Sequence, residues 1–459
     1  MSKFAILAFA VATASVLQAI EPGKEVRLPE LGDPASAIVS LEEERALGQQ
    51  LLKQIRAQMP LSSDPLIKYF VRLNLLELAT SSELAQVELN PIVVASPELN
   101  AFAAPGGIVG ANLGLFKHAE DVHEYSSVMA HELAHLSQRH YARTQEASHG
   151  IAIPTLVSLL GSIAILAKGN TELGQATMMG SQAMGQQAML RYSRTFEAEA
   201  DRIGFNTLVR AGFDPLGMER MFKRMNQLHQ GAAAAQWLLT HPLTESRMGD
   251  ARRQADQVEI ETYSESIDYQ MPARTQDEIM DSAAQVDTTE FAQSYAAALA
   301  HLRTQRWDES LQLFERLRAL EPTSLLLAVS YGEALVEAEQ PEAAVSFLKD
   351  QLEFNPGNPP LAMTYAKALR KAGDPAEAVR VLRRQSKARP NDIDLWHELS
   401  ETAGLSGEVL LIHQSRAEFY ALRGDNEKAL EHLEIASDLV EPDSRQGAMI
   451  KQRILQLVE

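Results

Sequence analysis

Apolar residues near the start of the chain recur at the spacing of amphipathic helices. Residues 42–59 carry this pattern, which places the apolar side chains on one face. Asp64 and Pro65 predict the first turn of a second helix, ending near Leu78, because Asp caps free backbone N–H groups and proline is tolerated at the first helical position. Two amphipathic helices are therefore expected before any strand.

The pattern then changes to that of a small sheet. Residues 87–95 and 101–112 are β-branched and apolar, and they are interrupted by Asn-Pro, Ser-Pro and Pro-Gly-Gly. Such segments predict two or three short strands. From residue 121 onward nearly the whole pattern is helical, so we expect a mainly α fold with one small β-sheet.

The C-terminal part of the chain repeats with a period of 34 residues. The positions that keep this interval are Pro322, Pro356 and Pro390; Tyr331 and Tyr365; Ser310, Ala344 and Ala378; and Phe314, Leu348 and Leu382. This period, with small residues at one phase and a closing proline, is typical of the tetratricopeptide repeat. Each repeat is a helix pair that buries its apolar face only against its neighbours, so residues 291–459 are predicted to form an α-solenoid.

The N-terminus has the features of a signal peptide. Lys3 supplies a positive charge, and residues 4–17 are uncharged. Ala12-Thr13-Ala14 and Ala19 offer cleavage points, and the apolar stretch is shorter than the roughly 20 residues of a membrane span. We therefore predict export, with residues 1–19 removed.

Composition narrows the classes of function. The 61 acidic residues outnumber the 42 basic ones, which gives a formal charge of −19 and disfavours binding to nucleic acid. The chain contains no cysteine. A disulfide scaffold and a thiolate nucleophile are therefore excluded, and any zinc must be held by histidine and carboxylate groups.

The most apolar part of the predicted mature chain is the stretch 147–167. It is long enough to cross a bilayer, but Pro154 and Gly161 favour a buried helix or a helical hairpin that covers the site. Four methionines follow within residues 178–189. They predict either core packing or a flexible lid.

The sharpest chemical signal is the sequence His131-Glu132-Leu133-Ala134-His135. Residues four apart share one face of a helix, so both imidazoles can reach one cation. Glu132 points about 100° away, where it can take a proton from a water molecule activated by zinc. The apolar flanks argue against an exposed helix with incidental histidines, because two buried histidines need partners.

A third ligand must come from elsewhere in the chain. The pattern HExxHxxGxxH is excluded because Tyr141 stands at its last position and His140 is one residue out of phase. Glu197 and Asp201 share a helical face, so one can bind zinc while the other holds a ligand imidazole. Glu199 lies on the opposite side, so Glu197 is the preferred ligand; a solvated acidic face is the other interpretation.

Three motifs together resemble the M48 metallopeptidases. They are the HELAH sequence at 131–135, EAEAD at 197–201, and NAFAAPGG at 100–107. The resemblance implies one Zn²⁺ per chain with His131, His135 and Glu197 as ligands. It also implies Glu132 as the catalytic base and Asp201 as a supporting acid that is often assigned as a proton donor. The predicted organisation is a signal peptide (1–19), a zinc-peptidase domain (20–258), an acidic linker (259–290) and the repeats (291–459).

The resemblance further implies a periplasmic endopeptidase in the quality control of outer-membrane proteins. Its clients would be misfolded or stalled outer-membrane proteins, and the repeats would bind those clients or the outer-membrane β-barrel assembly machinery, with peripheral membrane contact. The alternative is a chaperone or adaptor whose protease site is normally closed. A membrane-embedded protease would require that residues 147–167 insert into the bilayer.

Three further features bear on mechanism. His241 lies in a short loop after an apolar helix and could act as a fourth ligand, as a donor to the transition state, or only as a surface group. Residues 107–112 could be an edge strand to which substrate adds, or a plain structural strand. Arg139 and His140 could contact the ligands or face water.

Overall fold

The computed structural model describes residues 39–84, 88–147, 194–230, 237–258, 263, 269–279 and 290–458. The predicted signal peptide, most of the apolar stretch 147–167 and the methionine-rich segment lie outside these residues. The elements of the first part are α1 Leu41–Gln58, α2 Pro65–Ser81, β1 Asn90–Val94, β2 Ala101–Ala104, β3 Ile108–Asn112, α3 Leu113–His118, α4 Val122–Ser137, α5 His140–Ala147, α6 Arg194–Arg210, α7 Leu216–Gln230, α8 Trp237–Thr240, α9 Glu245–Ala255 and α10 Met271–Ile279.

The second part consists of five helix pairs. They are α11 Glu290–Arg303 and α12 Trp307–Leu320, α13 Leu325–Glu337 and α14 Pro341–Phe354, α15 Pro359–Lys371 and α16 Pro375–Ala388, α17 Ile393–Ser406 and α18 Val409–Leu422, and α19 Asn426–Asp438 and α20 Arg445–Val458. The predicted fold class, a mainly α peptidase domain with a small sheet followed by an α-solenoid, is confirmed. Among the described residues, no helix is long and apolar enough to cross a membrane.

Side-chain caps fix the starts of the first two helices. Ser40 and Glu43 form a capping box at α1, and Asp64 accepts hydrogen bonds from two backbone N–H groups at the start of α2. Pro65 occupies the first turn of α2, where its missing N–H leaves no hydrogen bond unmade. Both helices begin within one residue of the positions that the sequence predicted.

The sheet has three strands in the order β1-β3-β2. β3 runs parallel to β1 and antiparallel to β2. Both edges of β3 are therefore paired. Of the two alternatives for residues 107–112, the edge strand is wrong and the plain structural strand is confirmed, because β1 and β2 occupy the edges of this sheet. A Cβ on Gly110 of β3 would lie 2.2 Å from the ring of Phe102, so any larger residue there would displace this ring.

The repeats keep their period in three dimensions. The second helices of the first four pairs begin at Trp307, Pro341, Pro375 and Val409, which preserves the interval of 34 residues. Small residues at one phase, including Ala344 and Ala378, are fully buried where helices approach each other. Stacking of successive pairs therefore supplies the apolar core that no single pair can form.

Polar contacts join the repeats to the first part of the chain. The side chain of Arg274 on α10 is 7% exposed and binds Asp64 Oδ2 at the start of α2 and Glu333 Oε2 on α13, with Nη2–O distances of 2.7 and 3.1 Å. Lys68 on α2 forms an ion pair with Asp394 on α17. Helix α10 lies within the range 259–290 that composition predicted to be a linker, and this buried arginine anchors it on both sides.

Candidate metal centre

The site is built where α4 crosses α6. Asp121 caps α4 by accepting a hydrogen bond from the backbone N–H of Glu124. At the crossing, a Cβ on Gly204 would lie 3.0 Å from Cα of His131. Glycine therefore lets the two backbones approach closely, and this approach brings Glu197 on α6 to the histidine face of α4.

Four ligand groups converge at this crossing. Nε2 of His131 lies 3.0 Å from Nε2 of His135, and each of these nitrogens lies 3.6 Å from a carboxylate oxygen of Glu197. Nδ1 of His241 lies 3.1 Å from Glu197 Oε1. All four side chains are buried, and one ligand atom from each lies within 4.8 Å of the others.

The electrostatics of the cluster suit a cation. Burial and the neighbouring His131 hold the pKa of His135 well below its usual value, so its imidazole is neutral, as a metal ligand must be. Burial alone would raise the pKa of Glu197, but His241, His131 and Arg247 outweigh it and keep this carboxylate ionised. Imidazole nitrogens with one ionised carboxylate are a donor set that zinc prefers, so these residues fit the metal.

Glu132 lies beside the cluster and is held by a residue that no sequence motif indicated. Its side chain is fully buried, and Oε1 accepts a hydrogen bond from Nε1 of Trp237 at 2.8 Å. Within the described part of the chain, its second oxygen, Oε2, has no hydrogen-bond partner. One oxygen is thus fixed while the other remains available for proton transfer.

Asp201 supports the cluster from behind. Its Oδ1 lies 3.0 Å from Nδ1 of His131, and both of its oxygens accept hydrogen bonds from Arg247 at 2.6 and 2.8 Å. Burial alone would raise the pKa of Asp201, but His131 and Arg247 outweigh it and lower that pKa. Arg247 also lies 2.9 Å from Glu197 Oε2, so a single guanidinium contacts both acidic residues.

His241 follows α8 and closes one side of the site. Its ring stacks on Trp237, with centroids 4.6 Å apart, and its Nδ1 lies 3.4 Å from Nε2 of His131. Burial alone would lower the pKa of His241, but Glu197 and Glu132 outweigh it and raise that pKa. His241 is therefore held among the acidic groups of the site and is not a surface histidine.

The structure brings together all six residues that the sequence singled out as candidates: His131, Glu132, His135, Glu197, Asp201 and His241. Trp237 and Arg247 were not predicted from the sequence, because each lies far along the chain in an ordinary amphipathic context. The alternative in which His140 faces water is wrong, because its side chain is fully buried against His135. The position of His140 directly after the HELAH helix was the signal in the sequence for this contact with His135.

A helix that carries HExxH, with a glutamate from a second helix completing a buried ligand set, defines a helical metallopeptidase. Comparison with known proteins agrees. Residues 71–255 match the model of peptidase family M48, and residues 335–401 match a tetratricopeptide repeat. The chain belongs to peptidase family M48 and is a zinc metalloendopeptidase with C-terminal tetratricopeptide repeats.

Similar proteins span nearly the whole chain. The chain is 30% identical over 464 residues to the beta-barrel assembly-enhancing protease of Yersinia pestis. The matched region covers 97% of this chain and 94% of that protein. The identity to the protein of the same name from Escherichia coli (strain K12) is also 30%, with 94% and 91% covered. The mitochondrial metalloendopeptidase OMA1 of Bos taurus is 34% identical, but over only 33% of this chain and 29% of its own length.

Proposed function

We propose that this peptidase acts in the periplasm on outer-membrane β-barrel proteins that are misfolded or stalled during assembly. The names of the two bacterial relatives support this class of client. Unfolded barrel proteins expose extended strands, and an extended backbone is the form in which a peptidase can cleave an internal bond. The negative net charge of this chain supports clients other than nucleic acid.

The observation that carries the proposal is the position of Glu132 beside the buried ligand set. We assign one Zn²⁺ per chain to His131, His135 and Glu197, and when bound this ion supplies the Lewis acidity that activates water and polarises the scissile carbonyl. Oε2 of Glu132 takes the proton from the attacking water and later passes it to the departing amine nitrogen. Trp237 keeps the carboxylate in the orientation for both transfers.

We assign Asp201 to holding His131 and not to donating a proton. The carboxylate is ionised, and Arg247 occupies both of its oxygens. A proton donor would need a protonated oxygen facing the substrate. The contact with Nδ1 of His131 instead fixes the ring so that Nε2 is free to bind the metal.

The proposed organisation assigns recruitment to the repeats. The signal peptide (1–19) directs export, the domain 20–258 cleaves, and the repeats bind either clients or the outer-membrane β-barrel assembly machinery, close to the membrane surface. Residues 259–290 connect the two domains through α10. The matched repeat region 335–401 supports such a binding platform.

A second candidate is a chaperone or adaptor with a protease site that is normally closed. The place of His241 in the ligand cluster, where one ligand atom from each of the four residues lies within 4.8 Å of the others, favours it, because a fourth protein ligand would take the position that water needs. In that state the repeats perform the physiological work and cleavage occurs only after the loop that carries His241 moves away.

The first experiment measures zinc content and hydrolysis of casein and of a urea-unfolded outer-membrane barrel protein, for the wild type and Glu132→Gln. We expect one zinc in both proteins and a rate lower by about 10²–10⁴-fold in the variant. Absence of zinc from both would contradict the proposed centre. If both bind zinc and neither cleaves, while His241→Ala cleaves, the second candidate is supported.

A further inference from the structure

His140 lies directly behind the ligand His135. Arg139, between α4 and α5, has a positive φ of 49°, and this turn brings the first residue of α5 back over the end of α4. Nδ1 of His140 lies 2.8 Å from Nδ1 of His135. Nε2 of His135 is on the other side of its ring, 3.0 Å from Nε2 of His131 in the ligand cluster.

The positions of the protons follow from this geometry. When Nε2 of His135 presents its lone pair to a cation, its proton must sit on Nδ1. Nδ1 of His140 then accepts that proton's hydrogen bond, so His140 carries its own proton on Nε2. Nε2 of His140 lies 3.3 Å from Oε2 of Glu199, and this oxygen accepts the hydrogen bond from the Nε2 proton. One tautomer of each histidine therefore satisfies the whole chain of contacts.

Neighbouring groups hold both members of this chain in place. The ring of His140 stacks on Phe196, with centroids 4.5 Å apart and planes 14° apart. Arg143 binds Oε2 of Glu199 at 2.9 Å and lies over the same phenyl ring at 4.6 Å. A neutral imidazole held in this position accepts at one nitrogen and donates at the other, which matches the two contacts of His140.

We infer that His140 and Glu199 are positioning residues that fix the tautomer and the orientation of His135 for zinc binding. The inference rests on the proposed zinc centre and extends it. His131 contacts the carboxylate of Asp201 directly, whereas His135 reaches the carboxylate of Glu199 only through an intervening histidine. Glu199 lies away from the ligand face of α6, so it orients the ligand His135 only through His140.

A purely structural role for His140 makes a different prediction. If the ring only fills space, phenylalanine should replace it without effect on zinc, since it keeps the size and the stacking on Phe196. Asparagine loses the stacking but can place its carboxamide oxygen close to the position of Nδ1 and accept the same proton. The two variants therefore separate packing from hydrogen bonding.

The test measures the zinc dissociation constant of the full chain by competition with a chromophoric chelator, together with the absorption spectrum of the Co²⁺ form. We expect His140→Phe to weaken zinc binding by about 10–100-fold and to shift the Co²⁺ bands, because partners of this kind have effects of that size. His140→Asn should recover most of the affinity. Glu199→Gln should cause a smaller loss, and the double variant His140→Phe/Glu199→Gln should bind no more weakly than His140→Phe alone, because the two residues act in series.

The matched control is His123→Phe. His123 is also a buried histidine of α4, but its Nδ1 accepts from the backbone N–H of Asp214, away from the cluster. Its replacement should leave the zinc dissociation constant unchanged.

If His140→Phe binds zinc within twofold of the wild type, the inference is wrong. If that variant does not fold, an unchanged zinc dissociation constant for Glu199→Gln overturns the inference instead. A wild type without zinc would refute the proposed centre itself, which is a separate outcome.

Discussion

The indole Nε1 of Trp237 donates a hydrogen bond of 2.8 Å to Oε1 of Glu132, although the two residues are 105 positions apart in the sequence. Both side chains are fully buried. A carboxylate with one oxygen held in this way presents its other oxygen for proton transfer. The tryptophan therefore determines which oxygen of the proposed base faces the reaction.

Replacing this indole tests the relationship. We expect Trp237→Phe to lower kcat by roughly 10–100-fold with little change in KM, because a hydrogen bond to a charged group contributes about 1.5–3 kcal/mol. Trp396→Phe is the control, since Nε1 of Trp396 donates to the backbone carbonyl of Pro390 within the repeats. Steady-state cleavage of a fluorogenic peptide gives both constants. An unchanged kcat for Trp237→Phe would show that Glu132 does not need this donor.

The guanidinium of Arg247 is predicted to be essential for the stability of the peptidase domain. Its removal leaves the buried carboxylates of Asp201 and Glu197 without their cation, which costs about 3–5 kcal/mol in comparable buried pairs. Urea unfolding of Arg247→Leu in the presence of a chelator measures this loss. Arg252→Leu on the same helix removes only the exposed pair with Asp256, so its change should stay below about 1 kcal/mol. Equal losses in the two variants would contradict the prediction.

Arg274 is predicted to hold the repeats against the peptidase domain. The variant Arg274→Met removes the guanidinium that neutralises the partly buried carboxylates of Asp64 and Glu333, so we expect faster limited proteolysis and earlier thermal unfolding. Arg306→Met, which removes an exposed pair with Glu309, serves as the control. Adding Glu333→Met to Arg274→Met should recover part of the loss. If the double variant melts below Arg274→Met, uncompensated charge is not the cause.

The last two helix pairs are predicted to be sensitive to acid. Nδ1 of His413 lies 3.0 Å from Nδ1 of His432, and burial lowers the pKa of both, with Arg416 adding to the effect. The folded state therefore binds fewer protons than the unfolded state. The stability from these histidines is complete above the unfolded pKa of about 6.5 and is lost as the pH falls through the lower folded values.

Thermal unfolding between pH 7.5 and pH 5 measures this effect. We expect the wild type to lose more stability on acidification than His413→Asn/His432→Asn, whose side chains do not titrate. His301→Asn, which changes a histidine at the end of α11, controls for the loss of any histidine in the repeats. Identical pH profiles for the wild type and the double variant would exclude the pair as the sensor.

Local patterns were sufficient for the first two helices, the HELAH helix and the repeats, whereas α10 lies in a range that composition predicted to be a linker. The caps at Ser40 and Asp64, the HELAH spacing and the 34-residue period depend only on residues close in sequence, so they can be read without a structure. The same logic places Glu197 and Asp201 on one face of α6. Strand pairing was not accessible in this way, because the choice of β3 as the central strand depends on contacts between segments distant in sequence.

The sequence by itself thus determined the class of chemistry and the residue types that carry it. Only the tertiary structure decided how those residues are held. Trp237 and Arg247 come from α8 and α9, and nothing in their local sequence indicates that they meet Glu132 and Asp201. The physical reason is that a buried charge must be compensated by whatever group the fold brings near, and that group is chosen by packing in three dimensions and not by spacing along the chain.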